Sequence, residues 1–332
     1  MQKTVWIDYD PKKVDIAYLI GRLESEGLRV IAEVVDFTDE DAIIRHALQA
    51  DAVVAQGERW NEHTLDAVKG KVQIIVRFGV GMNGIDIGHA TRLKIPVANI
   101  AGANAAAVAE VAFLHILNCG RRFAYCAENV RQGNWPATAA TLGHELDQKT
   151  VGLFGLGNIA RQLVRMLSGF HVEIVAYDPY VAPENIPENV RMLDSMEELF
   201  SVGDIISLHV PYTPETEKII DARLLKLMKP TAYLVNTCRG GVINEEDLVA
   251  ALRNGELGGA GLDVLADEPA GPGHPLLSMD NVTVTSHIGA NAVESDLRGE
   301  KRIADTILEF FHGEIPASVL NKEVFAGRGN IK

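Results

Sequence analysis

The stretch Val151–Leu163, VGLFGLGNIARQL, has the form of a strand, a glycine-rich turn and the start of a helix. An apolar run precedes Gly155, and the spacing from there is Gly-x-Gly-x-x-Ala before an amphipathic pattern that continues to Leu167. In such a turn the first glycine permits the tight bend, the second lets backbone approach a pyrophosphate, and the small third residue packs helix against strand. The phosphates would lie at the positive helix N-terminus. The stretch predicts a phosphate-binding turn in a doubly wound α/β domain.

A second apolar run, Val172–Tyr177, follows this helix and ends in Asp178. An acid about 20 residues beyond the glycines is part of the dinucleotide-binding pattern. It hydrogen-bonds the ribose hydroxyls of NAD and repels the 2′-phosphate of NADP. Glycine turns between strand and helix are common, so a structural turn followed by a solvated aspartate is the alternative. We expect NAD as the cofactor.

The turn begins near the middle of a 332-residue chain, and similar alternation precedes it. Short apolar runs alternate with helical patterns, which indicates parallel strands covered by helices. The predicted strands are Val5–Ile7, Arg29–Val35, Asp51–Ala55 and Val72–Val76, and the predicted helices are Lys12–Glu26, Asp39–Gln49 and Glu62–Lys69. The alternation resumes after Val151 and continues to about Val284. The length suggests two domains.

Two longer apolar patterns flank the second region of alternation. Ala101–Cys126 contains no proline and predicts one long, mostly buried helix, and Ala292–Phe311 predicts a second. Both are expected to bridge two lobes. The chain would then leave its first lobe, build the second and return.

Composition and charge narrow the classes of function. The formal net charge of −14 argues against nucleic acid or an acidic membrane as a partner, because those contacts need basic patches. Three cysteines are too few for a disulfide framework and show no metal-ligand spacing, so we expect a reducing cytoplasm and no metal site. The N-terminus lacks an apolar signal segment. We expect a protein that is neither exported nor embedded in a membrane.

Polar residues concentrate at the ends of three later strands. Arg239 follows the run Tyr233–Val235, Glu268 lies in GLDVLADEP beside Asp263, and His287 follows the run Val282–Thr285. Ligands of open α/β sheets bind beyond the carboxyl ends of the strands. We therefore expect these side chains to converge near the nicotinamide.

That set of side chains suits the reduction of an α-keto acid. Arginine holds a carboxylate bidentately, histidine exchanges a proton with the developing alkoxide, and a nearby glutamate orients the ring and favours its protonated form. Each residue also has a plainer interpretation. Arg239 fits a surface ion pair, Glu268 a solvated turn and His287 a structural histidine.

From about Val72 onward the chain resembles the D-isomer-specific 2-hydroxyacid dehydrogenases, most closely the D-3-phosphoglycerate dehydrogenase branch. The motifs recur in family order over about 220 residues, and they are RFGVGMNGIDI, ANAAAVAE, GHELDQKTVGLFGLGNIA, AYDP, LHVPYTPET, NTCRGGVINEEDL, GLDVLADEP and SHIGA.

The resemblance implies residue roles. The family's catalytic residues fall on Arg239, Glu268 and His287. Its cofactor contacts, together with the glycines of the turn, fall on Gly155, Gly157, Asn158, Ile159, Asp178, Val210, Thr237, Cys238, Asp263 and Gly289. Its substrate contacts fall on Gln56, Phe78, Gly79, Val80, Gly81 and Arg239.

The resemblance also implies a fold in which a Rossmann NAD-binding domain, 101–291, is inserted into a flavodoxin-like substrate-binding domain, 1–100 with 292–332. It implies a homodimer through about 101–146. The run Val111–Leu117 fits such an interface, although burial within the monomer explains it equally well. No regulatory domain is expected after Lys332.

The substrate and even turnover stay open. Phosphoglycerate-type members carry an arginine where this chain has Gln56, with Arg59 and Trp60 nearby. Arg59 either replaces that arginine or stays in solvent, and Trp60 either walls the pocket or packs the following helix. We favour a small acid such as glyoxylate or hydroxypyruvate over 3-phosphohydroxypyruvate. The alternatives are phosphoglycerate dehydrogenase activity, another substrate such as phosphite or an aryl pyruvate, and a corepressor-like protein that senses NAD without turnover.

Overall fold

The computed structural model describes residues 2–12, 15–82 and 84–326. The described part leaves out residues 13 and 14 of the first predicted helix, Asn83 of the motif RFGVGMNGIDI, and the end of the chain at 327–332. The chain divides into two compact units, one formed by 1–104 with 292–332 and the other by 105–291. Each unit is built on its own parallel sheet.

The first unit alternates strands and helices from its N-terminus. Its elements are β1 (Thr4–Ile7), α1 (Ala17–Ser25), β2 (Arg29–Ala32), α2 (Glu40–Ala47), β3 (Ala52–Ala55), α3 (Glu62–Val68), β4 (Ile74–Arg77), α4 (Ile87–Arg92) and β5 (Val97–Asn99). The strand order is β2-β1-β3-β4-β5. The chain adds β2 on one side of β1 and then adds β3, β4 and β5 on the other side, as in flavodoxin-like sheets. The predicted strands match β1 to β4, but α4 and β5 had no counterpart in the prediction.

Both faces of this sheet are buried, which explains why its strands read as continuous apolar runs rather than alternating ones. One face packs in a cluster that includes Val5, Val54 and Ile74. The other face packs in a cluster with Trp6 and Trp60. Trp60 is fully buried with its ring 6.4 Å from that of Trp6, so it packs in the core.

The second unit carries the glycine turn. Its elements are α5 (Ala105–Arg121), α6 (Phe123–Arg131), α7 (Trp135–Ala139), β6 (Thr150–Phe154), α8 (Asn158–Leu167), β7 (Glu173–Tyr177), β8 (Val190–Met192), α9 (Met196–Val202), β9 (Ile205–Leu208), α10 (Ala222–Leu225), β10 (Tyr233–Asn236), α11 (Glu245–Arg253), β11 (Gly259–Leu262) and β12 (Val282–Val284). The strand order is β12-β11-β10-β9-β6-β7-β8, with β6 and β9 at the point of reversal. This is the Rossmann order extended by one strand. The expected class of two doubly wound parallel sheets is confirmed.

The long helix expected over Ala101–Cys126 is wrong at both ends. The helix begins at Ala105 because the chain turns at Gly102, whose φ is 85°. It ends at Arg121 because Arg122 takes the left-handed conformation, with φ 52°. The side chain of Asn118 then accepts the N–H of Ala124 at 2.7 Å, which satisfies a donor in the first turn of α6.

The second long helix is confirmed as α12 (Val293–Phe311) and belongs to the first unit. Its residues Ile303, Ala304 and Ile307 join the core on one face of the first sheet. None of the described helices combines the length and apolar character that a bilayer-spanning helix needs.

Candidate active site

The glycine turn between β6 and α8 has the geometry that its sequence predicts. Gly155 has a φ of 94°, and a Cβ there would lie 2.8 Å from the carbonyl oxygen of His209 and 3.1 Å from Val210 Cγ1. A side chain at this position is therefore excluded both by conformation and by space.

The start of α8 is open to an anion. A Cβ on Gly157 would meet no atom within 4 Å, and this residue has no side chain to cap the helix. Gly157 and Asn158 are exposed, while Ala160 is fully buried against the sheet. Ile159 is half-buried between them. The first-turn N–H groups of the helix thus lie beside free space, which fits the pyrophosphate of a dinucleotide.

Asp178 lies one residue beyond β7, the strand next to β6, and bonds to the turn itself. Its Oδ2 accepts the N–H of Leu156 at 2.8 Å, and its Oδ1 accepts the N–H of Tyr180 at 2.8 Å. A carboxylate oxygen accepts more than one hydrogen bond, so both oxygens keep capacity for ribose hydroxyls. The second strand and the turn therefore form one unit with the acid.

The three polar residues expected at strand ends lie beyond three adjacent strands. Arg239 follows β10, Glu268 follows β11 and His287 follows β12, in a sheet where these strands are neighbours. All three strands are parallel, so their carboxyl ends lie at the same edge. The sheet brings the trio to one side of the second unit.

His287 and Glu268 form a direct pair. The Nδ1 atom of His287 lies 2.8 Å from Glu268 Oε2, and the other oxygen of Glu268 accepts the N–H of Leu265 at 2.9 Å. The two side chains stay 47% and 36% exposed, so the Nε2 side of the ring is open to a ligand. A carboxylate only accepts, so Nδ1–H is the donor of this bond and Nε2 is the ring nitrogen available to a ligand.

Arg239 lies on a loop that packs tightly against the Glu268 loop. A Cβ on Gly240 would lie 1.9 Å from the carbonyl carbon of Leu265 and 2.3 Å from the nitrogen of Ala266. The guanidinium donates to the carbonyl oxygen of Cys238 at 2.6 Å, and Asn236 donates to the carbonyl oxygen of Arg239 at 3.0 Å. Glycine at 240 is thus a condition for the close approach of the two loops.

Asp263 holds the turn that carries His287. Its side chain is 1% exposed and accepts the N–H groups of Ile288 at 2.9 Å and Gly289 at 2.8 Å. Its carbonyl oxygen accepts the N–H of His287 at 2.8 Å. Asp263 therefore supports the turn structurally, in addition to being a candidate cofactor contact.

The residues between Asn236 and Arg239 differ in what they offer a ligand. Thr237 has a buried hydroxyl with no hydrogen-bond partner among the described residues. Cys238 donates its thiol proton to Asn236 Oδ1 at 3.0 Å, and burial raises the pKa of this thiol to about 11. Cys238 is therefore a protonated packing residue at neutral pH and not a thiolate nucleophile.

The predicted substrate residues lie in the first unit, at the carboxyl ends of β3 and β4. In the loop Phe78–Gly81, the carbonyl oxygens of Gly79 and Val80 accept bonds from Ile100 N–H at 3.3 Å and from Asn99 Nδ2 at 3.0 Å. Within the described ranges no acceptor is found for the N–H groups of Gly79, Val80 and Gly81. These N–H groups are suited to a carboxylate.

A buried acid pair beside Gln56 had escaped the sequence analysis. Glu58 Oε2 accepts the N–H of Gln56 at 2.6 Å, whereas Glu58 Oε1 and Asp8 Oδ2 are buried without a hydrogen-bond partner among the described residues. Glu58 and Asp8 are 2% and 0% exposed. Burial raises the pKa of Glu58 to about 8, and the charge of Asp8 raises it further, so Glu58 is protonated at neutral pH. The acids are 50 residues apart, and nothing local in the sequence marks the pair.

Arg59, which follows this pair, is exposed. Its neighbour Glu58 points inward to the N–H of Gln56 and to Asp8. The Glu58 carboxyl group is thus used inside the loop, and the exposed side chain of Arg59 agrees with the alternative in which this arginine stays in solvent.

Residues 113–289 match the model of the family described as D-isomer specific 2-hydroxyacid dehydrogenase, NAD binding domain. The chain is 34% identical over 326 residues to a glyoxylate reductase of Thermofilum pendens, covering 94% of this chain and 96% of the relative. It is 34% identical over 307 residues to a D-3-phosphoglycerate dehydrogenase of Methanocaldococcus jannaschii, covering 90% of this chain but only 58% of the relative. The chain thus spans little more than half the length of that dehydrogenase.

Among solved structures, the apo form of the D-mandelate dehydrogenase of Rhodotorula graminis superposes with a TM-score of 0.88. The two chains are 26% identical, and the match covers 96% of this chain and 98% of the other. The glycine turn, the acid beyond β7 and the family model agree on an NAD-binding domain in the second unit. The chain belongs to the D-isomer specific 2-hydroxyacid dehydrogenase family.

Proposed function

We propose that this protein is an NAD-dependent oxidoreductase that interconverts a small D-2-hydroxy acid and its 2-keto acid. The observation that carries the proposal is the contact of 2.8 Å between His287 Nδ1 and Glu268 Oε2, at the sheet edge that also carries Arg239. A histidine oriented by a carboxylate is a general acid–base. The second unit serves as the NAD-binding domain and the first as the substrate-binding domain.

Each residue of the trio has a distinct task in the reduction. Arg239 binds the substrate carboxylate through two parallel hydrogen bonds and so fixes its orientation. His287 gives the proton on Nε2 to the oxygen that forms at C2, and Glu268 stabilises the imidazolium before that transfer. In the reverse direction the same ring removes the proton from the hydroxyl group.

The cofactor contacts follow the geometry of the second unit. The start of α8, from Gly157 to Ile159, takes the pyrophosphate, and Asp178 takes the ribose hydroxyls. Val210, Thr237, Cys238, Asp263 and Gly289 line the same edge of the sheet. When bound, the nicotinamide coenzyme supplies the hydride-transfer chemistry at C2 of the substrate.

We favour an unphosphorylated substrate of the glyoxylate or hydroxypyruvate type. Gln56 carries no charge, and its backbone N–H is committed to Glu58 Oε2 at 2.6 Å. A phosphate dianion needs a charged donor, and neither the neutral Gln56 nor the buried, protonated Glu58 supplies one. The N–H groups of Gly79, Val80 and Gly81, which have no acceptor among the described residues, are suited to the carboxylate common to all substrates of this class.

Phosphoglycerate dehydrogenase activity is the second candidate, favoured by the similarity to the Methanocaldococcus jannaschii enzyme. The test measures kcat/KM with NADH for glyoxylate, hydroxypyruvate and 3-phosphohydroxypyruvate, in wild type and in Arg59→Ala. Arg45→Ala, an exposed arginine in the same unit, is the matched control. An Arg–phosphate contact contributes about 1.5–3 kcal/mol, so its loss changes kcat/KM about tenfold or more.

We expect a preference for the unphosphorylated acids that Arg59→Ala leaves unchanged. A strong preference for the phosphorylated acid that collapses only in Arg59→Ala would establish the second candidate instead. Tight NADH binding without turnover of any keto acid in the panel would point to the sensor function of a corepressor-like protein.

A homodimer through 101–146 is part of the proposal. Helices α6 and α7 contain no buried residue, and Phe123, Trp135 and Leu142 are 68%, 67% and 90% exposed. Such apolar side chains on one segment are typical of an association surface. Trp135→Ser with Leu142→Ser should lower the mass in sedimentation equilibrium towards that of a monomer, whereas Tyr180→Ser, 90% exposed elsewhere on the same unit, should not. A monomeric wild type would contradict this part.

A cytoplasmic location fits the three cysteines, all of which are free thiols.

A further inference from the structure

A buried hydrogen-bond chain runs from helix α5 to the turn that carries His287. The ring of His115, on α5, is 2% exposed, and its Nε2 lies 3.0 Å from Thr285 Oγ1. Thr285 Oγ1 in turn donates to Asp263 Oδ1 at 2.6 Å. Because the single hydroxyl proton of Thr285 goes to the carboxylate, its oxygen accepts from His115. The neutral ring of His115 therefore carries its proton on Nε2.

Asp263, at the end of this hydrogen-bond chain, accepts bonds from the backbone of the turn that carries the His287 ring. Three successive N–H groups, those of His287, Ile288 and Gly289, all donate to Asp263. His287 has a φ of 56°, in the left-handed region that non-glycine residues rarely occupy. A residue in that conformation persists only where its surroundings determine it. Asp263 is what determines it here.

Gly261 on β11 leaves space for His115, because any side chain at this position would collide with it. A Cβ on Gly261 would lie 2.8 Å from His115 Cβ and 2.9 Å from its Nδ1. Burial lowers the pKa of His115, and the nearby charge of Asp263 opposes that change only in part. At neutral pH the ring is thus an uncharged donor in a fitted space.

We propose that His115 is a positioning residue for His287, because its Nε2–H orients the Thr285 hydroxyl, which completes the hydrogen bonds of Asp263 and so holds the 287–289 turn. The inference rests on the proposed function for its kinetic consequences, but the order of the turn can be measured without activity. Neither His115 nor Thr285 touches the reacting atoms.

A second hydrogen bond between helix α5 and the β12 segment provides a matched control. Asn118 Nδ2, also on α5, donates to Thr283 Oγ1 at 2.7 Å, two residues before Thr285. This bond ties the same two elements together but does not reach Asp263. Thr283→Val removes it, just as Thr285→Val removes the link from His115.

The first measurement is hydrogen–deuterium exchange of the amides of Ile288 and Gly289 in the enzyme without added ligands. His115→Leu and Thr285→Val should raise these rates at least fivefold, whereas Thr283→Val should not. His115→Gln, which keeps a side-chain amide donor, should restore most of the protection. Unchanged exchange in both His115→Leu and Thr285→Val would overturn the proposal, whatever the catalytic activity.

The second measurement is a double-mutant cycle in kcat, with the preferred keto acid and saturating NADH. His115→Leu should reduce kcat roughly tenfold, the scale of one lost buried hydrogen bond, with the Kd for NADH within about twofold of wild type. The double variant with Thr285→Val should be no slower than Thr285→Val alone, because both changes break one chain. Additive losses, or an equal loss in Thr283→Val, would contradict the proposal. A wild type without turnover would instead count against the proposed function, while the exchange result would still decide on the positioning role.

Discussion

His287 has a left-handed backbone conformation, which residues other than glycine rarely adopt. A non-glycine residue with positive φ costs on the order of 1–3 kcal/mol and clusters at functional sites. Here the φ of 56° is held by the bonds to Asp263, while the ring itself bonds to Glu268. Local stability is thus given up for a fixed orientation of the ring.

His287→Asn tests the proton-transfer role. This change should keep the affinity for NADH but reduce kcat by ~10²–10⁴, the usual scale for a lost general acid–base. Glu268→Gln should also lower kcat, because the ring of His287 loses the carboxylate that accepts from Nδ1 and orients it. Steady-state rates over a pH series, with NADH fluorescence titrations as the control, check both. An unchanged kcat in His287→Asn would show that another group delivers the proton.

Asp178 should decide the choice between NAD and NADP. Asp178→Ala removes the repulsion of the 2′-phosphate and the ribose hydrogen bonds, so the preference for NAD should narrow by roughly 1–3 kcal/mol. The comparison is the ratio of kcat/KM for the two cofactors. Asp194→Ala, an exposed carboxylate just beyond the neighbouring strand β8, should leave the ratio unchanged. Equal use of both cofactors by the wild type would refute the assignment.

At the scale of elements, the site depends on how two loops dock. The loop after β10 carries Arg239, the loop after β11 carries Glu268, and Gly240 lies where the two backbones meet. Glu245, at the start of α11, accepts the N–H of Ala266 at 2.7 Å and so holds the second loop from another direction. The relative position of Arg239 and Glu268 is therefore a property of the packed loops.

Gly240→Ala should damage the enzyme far more than its single methyl group suggests. The new Cβ would lie 1.9 Å from the carbonyl carbon of Leu265, so one backbone must move. Such overpacking typically costs about 1–3 kcal/mol, so we expect a lower Tm. We also expect kcat/KM to fall about a hundredfold or more, since a misplacement of catalytic groups by about 1 Å already lowers the rate about a hundredfold. Gly271→Ala, where a Cβ would meet nothing within 4 Å, is the control. Full activity in Gly240→Ala would mean that the loops need not touch.

At the scale of the whole molecule, two buried groups give opposite pH dependences of stability. The pKa of Glu58 is raised to about 8 by burial and by Asp8, so its contribution is fully present below the unfolded value and is lost as pH rises towards 8. Both ring nitrogens of His209 are buried without a partner among the described residues. Burial lowers the pKa of His209 to about 4, so stability is lost as pH falls from the unfolded value near 6.5.

Glu58→Gln should flatten the alkaline side of this profile. Glutamine keeps an acceptor for the N–H of Gln56 but cannot ionise. The free energy of unfolding should therefore fall less between about pH 5 and pH 8 than in wild type, which loses up to a few kcal/mol there, since one pKa unit corresponds to about 1.4 kcal/mol. Urea unfolding of both proteins over this range measures the difference. Glu314→Gln, an exposed glutamate in the same unit, should follow wild type. Parallel profiles for wild type and Glu58→Gln would contradict the buried pair.

The fold class was readable from the sequence because it rests on local periodicity. Apolar runs at strand length, helical spacing between them and the glycines of Val151–Leu163 are properties of short segments. Arg239, Glu268 and His287 were also accessible, since each lies in the loop after its own strand and adjacent parallel strands end at one edge. The apolar pattern did not predict where the long helix ends, because that end depends on the conformation of the single residue Arg122.

What the sequence by itself determined is therefore the type of each sheet, the phosphate turn and the residues at the strand ends. Only the tertiary structure decided that Asp8 meets Glu58, that Gly240 lies against Leu265 and that His115 bonds to Thr285, 170 residues away. The reason is physical: a strand or turn is encoded by neighbours along the chain, whereas burial, shared protons and close backbone contacts arise between segments that meet only when the sheets pack.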